Sequence, residues 1–163
     1  MRNYFIIIFI FSSILGNCIN NPVIKCDADF FAIDNLDQVY YVKGPKLTKL
    51  NQDGTLNCEF SNNLLGDITS IDVTDPLRIL VYYKEMNQIL FLDNKLTEII
   101  SPVVFDDLDI FSTDGACGSY QNRFWVYNDQ NHRAFQYNEK RQQMQQSTSL
   151  DQIINEFSSI NSL

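Results

Sequence analysis

The chain has 163 residues, 45% of them apolar, and a formal net charge of −8, enough for one domain with a buried core. Twelve Lys and Arg stand against 20 Asp and Glu, with no basic cluster beyond Lys140-Arg141. A nucleic-acid partner, which needs clustered cations to neutralise phosphate, is excluded on that ground.

Residues 1–18 have the form of a signal peptide: Arg2 supplies the positive start, and Phe5–Leu15 a short apolar core. That core is too short to span a bilayer, which takes about 20 apolar residues. Leu15-Gly16-Asn17-Cys18 resembles a bacterial lipobox, with Cys18 the residue to be acylated, although Asn17 stands where a small residue is usual. The alternative is ordinary cleavage near Gly16–Asn20. An exported chain meets its membrane only through this segment or a lipid. Of the remaining cysteines, Cys26 and Cys58 could close a bridge around about 32 residues, worth roughly 3–4 kcal/mol by chain entropy. Buried free thiols at Cys26, Cys58 and Cys117 are the other reading.

Past a leading arm to Cys26, short apolar runs alternate with turn residues, as strands do. ADFFAI (28–33), QVYYV (38–42), Leu47–Asn51 and Thr55–Phe60 make a first set of four. ITSIDV (68–73), Leu77–Tyr83, Gln88–Leu92 and Leu96–Ile100 make a second. GACGSY (115–120), Arg123–Tyr127, His132–Asn138 and Lys140–Gln146 make a third. Residues 149–163 change character. Ser149 and Gln152 suggest a capping box, and Leu150, Ile153, Ile154 and Phe157 form an apolar helical stripe. A short helix is expected at about 150–157.

The three sets repeat. Offsets of 42 and then 45 residues carry Val39 onto Val81 and Val126, Tyr40 onto Tyr82 and Tyr127, and Leu47 onto Ile89 and Ala134. They also carry Leu50 onto Leu92 and Tyr137, and Asn51 onto Asp93 and Asn138. Four short strands at such a period mark a β-propeller blade. The predicted fold is all-β: a partial propeller of three four-stranded antiparallel blades over residues 27–148, plus the short C-terminal helix. The second strands are expected near a common axis, with Val39, Val81 and Val126 alike in burial. A barrel or sandwich is the alternative architecture. Three blades form an arc with two open sides, so self-association or a protein partner is expected to cover them.

From about residue 27 to 150, LDQVYYV, SIDVTDPLRILVYY, QILFLDNKL and RFWVYN resemble exported bacterial β-propeller proteins of the cell envelope. That resemblance implies a chain of degenerate blades behind a signal peptide, in the periplasm or associated with the outer membrane. It also implies further blade sequence after the helix, so this chain reads as a C-terminally truncated member. It assigns no catalytic residue.

Candidate chemistry is sparse. A Ser-His-Asp mechanism would have to use His132 with Ser112 or Ser119, yet no G-x-S-x-G elbow occurs. Cys117, within GACG, lacks a neighbouring cation to make it a thiolate; small residues close to the propeller axis explain that stretch better. Asp106, Asp107 and Asp109 could offer oxygen ligands to a hard cation such as Ca²⁺, though not at EF-hand spacing. No cofactor is implied. The expectation is a non-enzymatic binding or scaffold protein whose contact rim is Lys43–Lys46, Lys84–Asn87 and Asn128–Asn131. A propeller-type hydrolase or lyase is the alternative.

Overall fold

The computed structural model describes residues 27–153. Twelve strands form three separate four-stranded sheets, each antiparallel and each in simple sequential order. The first blade holds β1 (Phe30–Ile33), β2 (Val39–Lys43), β3 (Lys46–Leu50) and β4 (Leu56–Ser61). The second holds β5 (Ser70–Asp72), β6 (Ile79–Tyr83), β7 (Gln88–Leu92) and β8 (Val103–Val104), and the third β9 (Thr113–Ser119), β10 (Arg123–Asn128), β11 (Arg133–Tyr137) and β12 (Gln143–Gln146).

Two apolar cores lie between the sheets. Tyr40, Val42 and Leu47 of the first blade meet Ile79, Val81, Tyr83, Leu90 and Leu92 of the second. Leu80, Tyr82, Ile89 and Phe91, from the other face of the second blade, meet Phe124, Val126 and Tyr137 of the third. Because side chains alternate between the faces of a strand, covering both faces requires apolar residues at every position. Accordingly β6 and β7 are buried at all their positions, while β2 and β10 alternate between buried and half-buried. The middle blade is sandwiched, and the outer two each turn one face away from the core.

The repeat is real, but its register differs from the expected one on the second strand. Val39, Ile79 and Phe124 are the residues paired with Leu50, Leu92 and Tyr137. The offset is therefore 40 on the second strand of the middle blade and 42 on the third. The reason is loop length: Gly44-Pro45 joins β2 to β3, whereas four residues, Lys84–Asn87, join β6 to β7. Val81 and Val126 thus match Tyr41, and Val39 matches Ile79. Val39 is only half-buried, unlike Val81 and Val126 at 0% exposure.

The turn between third and fourth strands is the most faithful copy. Asn51, Asp93 and Asn138 each receive the amide three residues on and donate their own amide to the carbonyl four residues on. The chain turns left-handed at Gly54, Leu96 and Arg141. After Asp93 the middle blade departs from expectation. Leu96–Ile100 makes only an isolated bridge, Leu92 with Glu98, and the edge strand forms later at Val103–Val104. Leu96, with φ of 59° and its side chain in the first core, cannot stay in an extended strand.

The axis is also differently occupied. The first strands, not the second, line the central cavity, and β9 approaches β5 and β6 across the blade boundary. The bulky second strands need a sheet on each side, which places them between blades. Helix begins at Leu150 and the described part ends at Ile153; Ser149 takes the Gln152 and Ile153 amides on its carbonyl. Residues 1–26 and 154–163, with the export segment, Cys18 and Cys26, lie outside the described residues.

Candidate functional site

Two concavities among the described residues open at one end, where first strands turn into second strands. A cavity of about 760 Å³ sits on the axis, walled by all three first strands through Ala32, Asp34, Ile71, Asp72, Ala116 and Cys117. A second, of about 540 Å³, lies between the second and third blades and includes Asp72, Arg78, Phe91, Tyr120, Arg123 and Trp125.

The turns at this end are built by short polar side chains that bond their own backbone. Asp34 Oδ1 accepts the Leu36 and Gln38 amides, and its Oδ2 takes the Tyr40 hydroxyl at 3.0 Å. Asp75 accepts the Leu77 amide at 3.0 Å. In the third blade Gln121 and Asn122 are both left-handed, closing a two-residue turn between Tyr120 and Arg123. Each turn holds out one large apolar side chain: Leu36 is 56% exposed, Leu77 67% and Tyr120 91%. All three first-to-second hairpins thus carry an exposed apolar residue, and Tyr120 lines the second cavity.

Asp72 belongs to both cavities. Its Oδ1 accepts the Thr74 amide at 2.9 Å and its Oδ2 the Gly118 amide at 2.8 Å, tying the middle blade to the third. Burial pushes this carboxyl up, but the hydrogen bonds from Thr74 and Gly118 outweigh it and hold its pKa below the usual value. Arg78 makes the other tie. Its guanidinium carbon is 3.9 Å from the Phe91 ring centroid, Nη1 donates to Glu139 at 2.8 Å, and Nη2 to the Asn122 carbonyl at 3.3 Å.

The rim expected from the sequence lies at the opposite end, where Lys43, Lys84 and Asn87 are engaged. Lys43 pairs with Asp27 and Asp29 at 3.0 Å, and Lys84 pairs with Asp114. Asn87 donates to Asp106 at 2.5 Å and to the Ile110 carbonyl at 2.7 Å, and accepts the Thr113 hydroxyl. Lys84 and Asn87 here brace the middle blade against the third.

The sequence candidates fall apart in space. His132 meets Tyr127 (3.3 Å) and Asp151 (3.9 Å), while Ser119, at the other end of the third blade, accepts from Gln136; no bond joins His132 to Ser112 or Ser119. Partial desolvation, and after it the Asp72 carboxylate, push the Cys117 thiol up, away from a thiolate. Gly115 and Gly118 relieve no crowding on the axis. A Cβ at Gly115 would meet nothing within 4 Å, and one at Gly118 would sit 3.5 Å from Asp72. Asp106 bonds Asn87, Asp107 faces Arg141 at 3.3 Å, and Asp109 ends the 3-10 turn Phe105–Leu108 in left-handed backbone. Among the described residues no three His, Cys, Asp or Glu side chains gather as metal ligands. Cys58 packs against the first core, where burial raises its thiol; its expected partner Cys26 is outside the described residues.

Sequence composition had no means of showing the Arg78–Asp72 end as the concave one. The available signal was the rule that each first-to-second turn carries an apolar tip, legible only once the turns are aligned.

No protein-family model matches this chain, and no curated protein matches its sequence. Solved structures do. Virginiamycin B lyase from Staphylococcus aureus aligns at a TM-score of 0.52 and 8% identity, over 70% of this chain and 39% of its own. The Neurospora crassa Pan2 WD40 domain gives 0.55 and 9%, over 75% and 38%, and a luciferin-regenerating enzyme 0.55 and 13%, over 74% and 45%. The chain therefore spans about two-fifths of the length of these propellers. At such identities the likeness concerns fold alone: the architecture is a partial β-propeller of three blades.

Proposed function

We propose that this chain is an exported, non-enzymatic binding or scaffold protein of the bacterial cell envelope, engaging a protein partner at its concave end. The observation that carries this reading is the triplet Leu36, Leu77 and Tyr120, exposed on the three first-to-second hairpins, with Tyr120 lining the second cavity. Apolar tips that contribute nothing to the core are what a partner would bury first. A photo-crosslinking residue in place of Tyr120, in producing cells, should give one discrete adduct that a Leu36→Ser, Leu77→Ser background loses. Absence of any adduct would count against the reading. Export is tested separately: Ile7→Asp with Ile8→Asp should hold the product in the cytoplasm.

The second reading is a hydrolase or lyase, as some structural neighbours are by name, with the axial cavity as its site. Against it, both carboxylates in that cavity, Asp34 and Asp72, already fasten backbone amides. Turnover of a lactone or ester, abolished by Asp72→Asn without loss of fold, would favour this reading over the first.

A further inference from the structure

We propose that two copies of this chain close on each other, the third blade of each against the first blade of the other, into one six-bladed ring. This goes beyond the binding reading, since it concerns the two end faces and not the concave rim.

The end faces are copies of faces that already pack. On the first blade, Val39 and Tyr41, both half-buried, and Leu50, at 6% exposure, stand where Ile79, Val81 and Leu92 stand in the middle blade. Those three are at 0% exposure against a neighbouring blade. Around them Phe31 is 70% exposed, Ile33 56% and Leu56 58%. On the third blade, Trp125, Tyr127 and Ala134 occupy the positions of Leu80, Tyr82 and Ile89. The chain thus holds both halves of a blade boundary, one at each end, and a second copy supplies the complement to both.

Charge says which turns should meet. Arg78, one residue before Ile79, crosses the boundary to two turns of the third blade, at Asn122 and at Glu139. Arg123 precedes Phe124 in the same way, and at this end face its side chain bonds, among the described residues, only Gln136 at 3.4 Å. The counterparts of the two receiving turns on the first blade are Asp34–Gln38, with Asp37 at the place of Asn122, and Asn51–Thr55, with Gln52 at the place of Glu139 and Asp53 one residue on. An arginine placed to cross a boundary therefore meets turns carrying two carboxylates on the first blade of another copy, Asp53 among them already accepting the Thr55 amide and hydroxyl. Gln136 offers a second parallel. Its counterpart Lys49 is 3% exposed and spans the first boundary to the Asn94 carbonyl at 2.9 Å, so a long polar side chain fits that position. Gly115, with open space over its Cα on this same face, leaves room for a close neighbour.

Three blades twice make six, within the four to eight that close a propeller. A head-to-tail interface yields a closed pair when its rotation closes, and a filament otherwise.

The test is sedimentation velocity on the purified chain over a concentration series. A discrete dimer is expected. Arg123→Glu and Asp53→Lys should each weaken it at least tenfold, because each sets like charges together at both boundaries. An equimolar mixture of the two variants should restore a one-to-one pair, since one boundary is then charge-swapped and the other native. A concentration-independent monomer would overturn the proposal, as it would if blades elsewhere cover these faces. Filaments growing with concentration, a dimer indifferent to Arg123→Glu, or a mixture that fails to pair would do so equally.

Discussion

Arg78 and Glu139 join the middle blade to the third: Nη1 donates to Oε1 across 2.8 Å, with the Arg78 side chain 10% exposed and Glu139 43%. The two ends of this pair are unequal in what they bury. Arg78 also covers the Phe91 ring, and its Nε has no partner among the described residues.

That inequality gives the first prediction. Arg78→Ala should lose the cation–ring contact and the packing of the stem as well as the ion pair, and cost about 2–3 kcal/mol. Glu139→Gln, at a half-exposed site, should cost under about 1 kcal/mol. Chemical denaturation of the two variants checks the order. Equal losses would mean that the ion pair alone holds this boundary.

Tyr82 and Tyr83 sit side by side on β6, fully buried and facing opposite cores. The Tyr82 hydroxyl bonds the Thr113 carbonyl at 2.9 Å and lies 2.7 Å from its Oγ1, whereas the Tyr83 hydroxyl has no partner among the described residues. Losing one member of a made bond costs about 1 kcal/mol, while removing an unpaired buried hydroxyl is neutral or favourable. Tyr82→Phe should therefore lower stability by about 1 kcal/mol or more, and Tyr83→Phe should leave it level or raise it. Unfolding midpoints for the pair decide the matter.

These two tyrosines also mark how far the sequence was legible. ILVYY (79–83) announced a strand buried on both faces, because it has no polar position, and the middle blade bears that out. The repeated Asn51, Asp93 and Asn138 announced a turn, and all three make it with the same bonds. What stayed hidden depends on counts that composition does not carry. A loop of two residues at Gly44-Pro45 instead of four shifts Val39 off Val81, and left-handed Leu96 postpones an edge strand. The concave end was hidden for another reason. Asp72 and Arg78 read in sequence as ordinary turn residues, and only the closeness of β5, β6 and β9 turns them into the ties between blades.

Asp72 sets a pH dependence. A carboxylate with a lower pKa folded than unfolded stabilises the fold above its unfolded value of about 3.9, and that contribution is lost as pH falls through the folded value. Asp72 is shifted in this direction by the bonds it accepts. Asp72→Asn should be less stable than the parent chain at pH 7 by about 1–2 kcal/mol, the scale of hydrogen bonds to a charged acceptor. The gap should narrow below about pH 4, where the unfolded chain takes up the proton first, and close as pH falls through the lower folded value. Urea midpoints at pH 7 and pH 3 provide the check; a gap of the same size at both would remove Asp72 from the acid response.

Val39 and Ile79 occupy the same place in successive blades, each paired with the last leucine of its third strand, Leu50 and Leu92. Only the neighbourhood differs. Ile79 is at 0% exposure against the first blade, and Val39 is half-buried on the end face. Truncating a fully buried isoleucine costs about 2–5 kcal/mol through lost transfer energy and the cavity left behind. Ile79→Ala should show that loss at every protein concentration, because its cover comes from the same chain. Val39→Ala should cost less than about 1 kcal/mol in dilute solution, since solvent fills the space it vacates. If a second copy covers the end face, its cost should grow as concentration rises and the face becomes interior. Thermal unfolding of both variants across a hundredfold dilution separates the cases: parallel curves for Val39→Ala would mean that its face stays wet throughout, and a penalty equal to that of Ile79→Ala in the most dilute sample would mean that it is never open at all.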